Sequence, residues 1–352
     1  MGNASRFAAI NAKVRALKGR MLTEDDFVNL LKEKKVKGIA RYLKENTSYK
    51  KVLKNVDIND IHRGHLEYLL KKYIVLQYEK LIHYFTDEYR KLFRVLFIRY
   101  EVEDLKLFIR AILRNEGIDY IKDLVVYSGL YSTVDYDLIF KSKGLEEFIE
   151  NLKGTIYYEA LKPYINESEK KISFYMEMSL DRIYFRMLYE QANKLSKHDR
   201  KILMDSLSKN IDLLNLEWIY RGLKYYDIAP EELINYTLMG GSNLNYREIK
   251  NLCYSENEKE LITLMLDSRY GFLFDNEKTM DLFMERRIER YLYFNFKEYF
   301  RKGSLDIIQS IAFMHLLEFE MRDIISITEG IRYGLNEKNM KSYLIRRIKG
   351  SD

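Results

Sequence analysis

Proline is almost missing from this sequence, since only Pro163 and Pro230 occur in 352 residues. At a usual frequency of ~5%, a chain of this length would carry roughly 18 prolines. Helix interiors exclude proline more strongly than any other residue, so its scarcity indicates a chain that is nearly all helix. Hydrophobic residues make up 47% of the chain and charged residues 32%, which excludes a disordered or fibrous protein. We therefore expect an all-α fold.

Cysteine and long apolar runs are also scarce. Cys253 is the single cysteine, so no disulfide can form within the chain, and a reducing compartment is expected. The longest stretch without a charged residue, 233–246, is shorter than the ~20 apolar residues that a membrane span needs. We expect a protein that does not itself cross a bilayer.

The charge excess is small. The 59 basic and 53 acidic side chains leave a formal net charge of +6, with both signs spread along the chain. A nucleic-acid-binding protein would be expected to concentrate its basic residues on one face. The 30 tyrosines could stack bases, but many fall within helical patterns where an aromatic ring covers a helix flank. Nucleic acid is therefore not an expected partner, although base stacking stays an alternative.

Motifs of the common catalytic and cofactor sites are missing as well. The sequence contains no GxxxxGK[ST] loop, GxGxxG turn, GxSxG elbow or CxxC pair. His62 and His65 are the only histidines at ligand-like spacing, and we interpret them as two partly exposed helix residues. We expect no catalytic residue, no metal and no cofactor.

A repeat with a period of about 110 residues is present. Its first landmark is a leucine followed six residues later by a tyrosine, at Leu43–Tyr49, Leu152–Tyr158 and Leu264–Tyr270. The second landmark is a residue typical of helix N-caps, which we expect to begin a long helix. Its three copies are Asp57, Asn166 and Asp275.

The third landmark combines an acidic residue, an Asp or Asn three positions later, an apolar residue after four more, and a small residue after a further three. Its copies are Glu101, Asp104, Phe108 and Ala111; Asp212, Asn215, Ile219 and Gly222; and Glu320, Asp323, Ile327 and Gly330. These spacings place all four positions on one stripe of a helix. The small residue would allow a second helix to approach closely, and the acid would suit the first turn of a helix.

Three interpretations of the repeated acids remain open: helix capping and packing, a polar ring facing a partner, and acid–base catalysis. Catalysis is the least favoured, because a catalytic acid and base need different environments and repeated positions resemble one another. We expect three helical repeats at 1–115, 116–235 and 236–352, the last with a C-terminal helical tail. Such repeats can stack into a solenoid or close into a pseudo-threefold ring.

Four segments resemble a known family, the C subunits of archaeal and bacterial V-type ATPases, which correspond to the d subunit of the eukaryotic vacuolar enzyme. They read NAKVRAL at 11–17, YEVEDLK at 100–106, IDLLNL at 211–216 and HLLEFEMRDII at 315–325. The last is the most specific and is followed by Glu329-Gly330 and Gly334-Leu335. Asp104 and Asp323 depart from the family, which usually has Asn there.

The resemblance implies a funnel of three helical subdomains around a pseudo-threefold axis. The protein would be a non-catalytic central-stalk subunit whose partners are the shaft subunits of the soluble sector and the membrane rotor ring, and it would couple the shaft to proton or sodium transport. It would sit at the cytoplasmic face of the membrane, attached only through the complex, without forming a homo-oligomer. The resemblance also implies that the funnel has a socket, which receives the end of the shaft. The residues expected to organise the socket or bind partners are Glu101, Asp104, Asp212, Asn215, Glu320 and Asp323. The alternative is a helical-repeat adaptor that binds other soluble proteins.

Overall fold

The computed structural model describes residues 3–116, 118–126, 130–166, 169–274 and 280–348. Within these ranges the chain forms α-helices and short 3₁₀ turns and no strand, which confirms the all-α prediction. The helices are α1 (Asn3–Lys18), α2 (Glu24–Lys32), α3 (Val36–Asn46), α4 (Lys50–Leu53), α5 (Arg63–Ile82), α6 (Asp87–Leu113), α7 (Tyr136–Ile139), α8 (Leu145–Glu150), α9 (Tyr158–Leu161), α10 (Glu169–Ala192), α11 (Lys197–Tyr225), α12 (Pro230–Tyr236), α13 (Tyr246–Cys253), α14 (Glu258–Leu266), α15 (Met280–Lys302), α16 (Ile308–Arg332) and α17 (Glu337–Ser342).

The helices recur in the same order three times. Each series contains two short helices, one helical turn and two long helices. We call these series repeat 1 (24–113, α2 to α6), repeat 2 (136–225, α7 to α11) and repeat 3 (246–332, α13 to α16). In repeat 3 a 3₁₀ turn at Gly271–Leu273 takes the place of α4 and α9. The predicted boundary between residues 235 and 236 falls inside α12, one residue before its end.

The chain folds into two compact units that do not coincide with the repeats. The first, unit 1, is made of Met1–Phe85 and Leu282–Asp352, and the second, unit 2, is the continuous segment Thr86–Asp281. The boundary falls between the two long helices of repeat 1 and again near the start of α15.

The core of unit 1 is built around α16. Every residue from Ile308 to Met321 is buried, because α1, α3 and α5 pack against this helix. In unit 2, α10 packs along α6, and α11 contacts the short helices α12, α13 and α14. Among the described residues, each helix is either too short or too polar to cross a lipid bilayer.

In repeat 1 the second sequence landmark does not mark the helix start that it predicts. Helix α5 begins at Arg63, and its N-cap is His62, whose Nδ1 accepts a hydrogen bond from the His65 amide at 3.3 Å. Asp57 instead accepts from the Asn59 amide in the preceding loop, at 2.8 Å. Asn166 ends a 3₁₀ turn, and Asp275 lies outside the described residues. Sequence pattern alone could not distinguish a loop aspartate from a helix cap, because both accept amide hydrogen bonds two or three residues away.

Candidate functional site

The three repeated acids occupy the middle of long helices. Glu101 lies in α6, Asp212 in α11 and Glu320 in α16, and their exposed fractions are 4%, 0% and 1%. The prediction that they stand in the first helical turn is wrong. Because they stand in mid-helix, their charge does not compensate a helix dipole. Each carboxylate instead accepts hydrogen bonds from segments outside its own helix.

Glu101 binds the segment that leads into α7. Its Oε2 accepts from the amides of Thr133 and Val134, at 2.7 and 3.3 Å, and from the Ser132 hydroxyl at 2.7 Å. Its Oε1 accepts from the Thr133 hydroxyl at 2.5 Å and from the Tyr157 hydroxyl at 2.6 Å. The next residue, Asp135, caps α7, so Glu101 fixes the entrance to repeat 2.

Asp212 makes the corresponding contacts in front of α13. Its Oδ2 accepts from the amides of Ser242 and Asn243, at 3.0 and 2.7 Å, and from the Tyr270 hydroxyl at 2.7 Å. Gly241 allows this approach, because a Cβ built there would lie 1.9 Å from Oδ1 of Asp212. Asp212 therefore fixes the entrance to repeat 3.

Glu320 makes the third set of contacts, within unit 1. Its Oε2 accepts from the Leu22 amide at 2.8 Å, and its Oε1 accepts from the Tyr49 hydroxyl at 3.2 Å. Thr23 follows Leu22 and caps α2, with a capping box to Asp26. The acid of repeat 3 therefore fixes the entrance to repeat 1.

These contacts have the same form in each copy, and we call them the acid–tyrosine joints. The first joint is Glu101 with Tyr157, the second is Asp212 with Tyr270, and the third is Glu320 with Tyr49. In each one, the acid of a repeat binds the tyrosine of the following repeat, with repeat 1 following repeat 3. A buried tyrosine hydroxyl that donates to a carboxylate forms one of the stronger hydrogen bonds in proteins.

The tyrosine of repeat 2 is Tyr157, one position before the Tyr158 that the leucine–tyrosine spacing predicts. Tyr158 donates to Glu150 instead, at 2.9 Å. The signal that identifies the right residue is a hydroxyl two positions earlier, at Thr47, Thr155 and Ser268. Each of these side chains accepts from the amide of its tyrosine, at 3.2, 3.2 and 3.1 Å, and donates back to the end of the preceding helix.

The family model described as ATP synthase (C/AC39) subunit matches residues 10–343. The chain belongs to this family. The relatives that it resembles are C subunits of A-type ATP synthases, among them that of Methanosarcina mazei, 25% identical over 257 residues, which cover 73% of this chain and 70% of the relative. The protein of the same name from Methanosarcina acetivorans is 22% identical over 341 residues, covering 97% and 93% of the two chains. That of Thermococcus kodakarensis is 25% identical over 340 residues, covering 95% and 89%.

In this C/AC39 subunit, the second position of the stripe also binds backbone. The Asn215 side chain pairs with both the amide and the carbonyl of Leu238, at 2.8 and 2.9 Å. Asp323 accepts from the Ile345 amide at 2.6 Å and from Nε of Arg346 at 2.7 Å. Both residues are fully buried and hold a segment 22 or 23 positions further along the chain. Asp104 is half-buried and accepts from the Tyr136 hydroxyl at 2.9 Å.

The small residues of the stripe admit short helices, as the sequence predicts. A Cβ at Gly222 would lie 2.5 Å from the Leu233 side chain in α12, and one at Gly330 would lie 2.6 Å from Met340 in α17. Ala111, at the corresponding position of repeat 1, is buried. The close approach sets the packing of the helix that follows each of α11 and α16.

The three joints differ in their electrostatics. Burial raises the pKa of Glu320 to about 7, although Arg346, the Leu22 amide and the Tyr49 hydroxyl all lower it. Burial also raises the pKa of Asp212, against the hydrogen bonds from Asn243 and Tyr270. Among the described residues, Glu320 accepts from two donors and Glu101 from five, so the third joint supplies its carboxylate with the fewest hydrogen bonds.

The candidate site is a set of buried hydrogen bonds that hold separate segments of the C/AC39 subunit together. Each of the six residues predicted as partner-binding or socket-organising forms a hydrogen bond inside its own unit, and five of them are buried. No group of three or more metal-binding side chains comes together within the described parts of the chain. Buried carboxylates that already accept amide and phenol protons are suited to fixing backbone geometry.

Proposed function

We propose that this C/AC39 subunit is a non-catalytic central-stalk subunit of an A/V-type ATP synthase. It couples the rotating shaft of the soluble sector to the membrane rotor ring, and so to proton or sodium transport. Its partners are the shaft subunits and the ring, and it lies at the cytoplasmic face of the membrane, attached only through the complex.

The observation that carries this proposal is the set of three equivalent acid–tyrosine joints. An open solenoid would leave the first and last repeats without such a contact. Here Glu320 of repeat 3 binds Tyr49 and the Leu22 amide, which belong to repeat 1 and the segment entering it. This contact supports a funnel of three similar subdomains, with the predicted repeats at 1–115, 116–235 and 236–352, over an adaptor that binds proteins along an open concave face.

A coupler must transmit torque without bending, and the joints suit that requirement. Each one ties the middle of a long helix to the first residues of the next repeat through charge-assisted hydrogen bonds. Such bonds in a buried setting are lost only at a cost of about 1–3 kcal/mol each. The three joints therefore connect each repeat to the next one through hydrogen bonds.

The buried acids would act on the socket from behind its surface. Glu101, Asp212 and Glu320 are at most 4% exposed, so they would organise the loops that a partner touches rather than touch it themselves. Asp104, Asn215 and Asp323 would support the same loops one helical turn further along.

Calorimetric titration of the full chain with the shaft subunits of its own host, at low and at high salt, tests the proposal. We expect saturable one-to-one binding, with a weaker affinity at high salt if basic faces contribute. Absence of binding at both salt concentrations, with the shaft proteins shown to be folded, would favour the adaptor.

A matched pair of variants tests the role of the joints separately. Tyr157→Phe removes the hydroxyl that Glu101 accepts from, whereas Tyr158→Phe removes a neighbouring hydroxyl outside the joint. We expect Tyr157→Phe to weaken shaft binding more than Tyr158→Phe. Equal affinities would refute a socket role for the first joint and leave the coupling proposal to the titration.

A further inference from the structure

A basic cleft of about 1080 Å³ opens in unit 1. Helices α1 and α15 and the segment that follows α17 line it. Its charged residues are the six cations Arg15, Lys18, Lys297, Arg301, Arg346 and Arg347 and the two acids Glu24 and Glu298. Six positive charges against two negative ones leave an excess of four, whereas the whole chain carries only +6.

Only one of these six cations, Arg346, has a counterion of its own among the described residues. The other five form no ion pair with any residue that the structure describes: Arg15, Lys18, Lys297, Arg301 and Arg347. Lys18 is only partly exposed, and it lies where Glu320 and the cations Arg346 and Lys297 all act on it. Burial lowers the pKa of Lys18, Glu320 raises it, and the two neighbouring cations lower it again.

The two arginines that follow α17 are held by aromatic rings. The Arg346 guanidinium lies 3.6 Å from the centre of the Phe27 ring and pairs with Asp323. The Arg347 guanidinium lies 5.9 Å from the centre of the Phe294 ring. Stacking restricts a guanidinium in an orientation whose edge can bind an oxyanion in a forked geometry. Nε of Arg346 already donates to Asp323, so the edge available to a ligand is chiefly that of Arg347.

We propose that this cleft binds a small ligand that carries several phosphate groups. Cations from three separate segments meet in one cleft, which suits a compact polyanion. Arginine forks match phosphate oxygens, and lysine supplies point charges beside them. The volume exceeds the need of a single inorganic phosphate, and Tyr293 and Phe294 offer an apolar wall for the rest of the ligand.

An acidic protein segment is the other occupant that the charge would accept. An extended peptide spreads its carboxylates along its length, whereas Lys297 and Arg346 both lie close enough to Lys18 to lower its pKa. The crowding of these cations favours an anion with a high charge in a small volume. This inference does not depend on a role in rotary coupling.

The test is a calorimetric titration of the full chain with tripolyphosphate at low salt. We expect saturable binding that Lys18→Gln and Lys297→Gln each weaken about tenfold, the size of one charge-assisted hydrogen bond. Lys338→Gln, an exposed lysine in α17 outside the cleft, is the matched control and should bind as the parent does. Lys18→Arg keeps the charge and should retain most of the affinity.

A second arm distinguishes a free ligand from a lipid headgroup. Sedimentation with phosphatidylglycerol vesicles, compared with phosphatidylcholine vesicles, reports headgroup binding, and competition by tripolyphosphate shows whether the same cleft is used. Tripolyphosphate binding that depends on Lys18 and Lys297 supports the proposal, whereas vesicle binding that tripolyphosphate does not displace would overturn it, because the phosphatidylglycerol headgroup carries a single phosphate. No saturable binding, an equal loss in Lys338→Gln, or tighter binding of a glutamate peptide of equal charge would overturn it.

Discussion

The Tyr49 hydroxyl donates a hydrogen bond to Oε1 of Glu320 at 3.2 Å, although 271 positions of sequence separate the two residues. The pairs Glu101–Tyr157 and Asp212–Tyr270 repeat this bond at sequence separations of 56 and 58. The same acid–tyrosine hydrogen bond therefore forms between repeats that are adjacent in sequence and between the last repeat and the first. The sequence of each repeat supplies the acid and the tyrosine, whereas the tertiary structure determines which acid meets which tyrosine.

Tyr157→Phe should destabilise the protein by about 1–2 kcal/mol, because the buried Glu101 carboxylate loses one of its donors. Tyr158→Phe should change the free energy of unfolding by less than about 0.5 kcal/mol, since its hydroxyl reaches only the exposed Glu150. Urea unfolding of both variants measures the difference. A larger loss in Tyr158→Phe would show that the joint has been placed on the wrong tyrosine.

Gly241→Ala should disrupt the second joint. The added Cβ would lie 1.9 Å from Oδ1 of Asp212, whose other oxygen is held by three donors, so the aspartate cannot move away without losing them. We expect a loss of about 1–3 kcal/mol, typical of an overpacked core. Gly144→Ala is the control, because a Cβ there meets no atom within 4 Å. Thermal unfolding that shifts equally in both variants would contradict the expectation.

Glu320→Gln should flatten the dependence of stability on pH. The pKa of Glu320 is about 7 in the folded protein, against an ordinary value of 4.5. Between these values the folded state binds more protons than the unfolded state, so the free energy of unfolding falls as the pH rises. The full effect is roughly 3 kcal/mol. A glutamine cannot ionise, yet its amide can still accept from the Leu22 amide and donate to the Tyr49 hydroxyl oxygen.

The measurement is urea unfolding at several pH values from 4.5 to 8. The parent should lose more stability than Glu320→Gln across this window, and Glu45→Gln, an exposed carboxylate in α3, should follow the parent. Parallel curves for the parent and Glu320→Gln would show that burial does not control the protonation of this carboxylate.

Lys106→Met should be strongly destabilising. Lys106 in α6 is buried and pairs with Asp181 in α10 at 2.6 Å and with Glu103 at 3.1 Å. Burial disfavours the charge on Lys106, but these two carboxylates outweigh it and raise the pKa of Lys106 above its ordinary value. Removing the lysine leaves Asp181 without its cation, at a cost of about 3–5 kcal/mol.

The double variant Lys106→Met/Asp181→Leu is the control for this ion pair. It removes both charges together, and its stability should return to near that of the parent, because apolar side chains of similar volume can replace a buried pair. Chemical denaturation of the two variants gives the comparison. If the double variant were no more stable than the single one, the loss would come from packing rather than from an unpaired charge.

Much of the fold follows from the sequence. The scarcity of proline predicts the helices, and the acid stripe predicts one face of α6, α11 and α16, because helical periodicity is a local property. The close approach at Gly222 and Gly330 follows from residue size alone. These features depend on neighbours within a few turns of helix.

The hydrogen-bond partners of the stripe residues could not be predicted from the sequence. The carboxylates of Glu101, Asp212 and Glu320 lie in mid-helix, and their donors stand in the next repeat or in the segment just before it. Tyr157 and Tyr158 are adjacent tyrosines, and only the hydroxyl at Thr155 separates the joint residue from its neighbour. Asp57 is predicted to cap a helix because of its residue type, but its side chain accepts a hydrogen bond within a loop.

The path of the chain through its two units has a consequence for synthesis. Unit 2 is one continuous stretch, so its core can form while later residues are still on the ribosome. Unit 1 needs both ends of the chain, and Leu22 and Tyr49 meet Glu320 only after almost the whole polypeptide has been made. The first 85 residues therefore keep apolar helix faces uncovered until α16 has been made, which exposes the nascent chain to aggregation during synthesis.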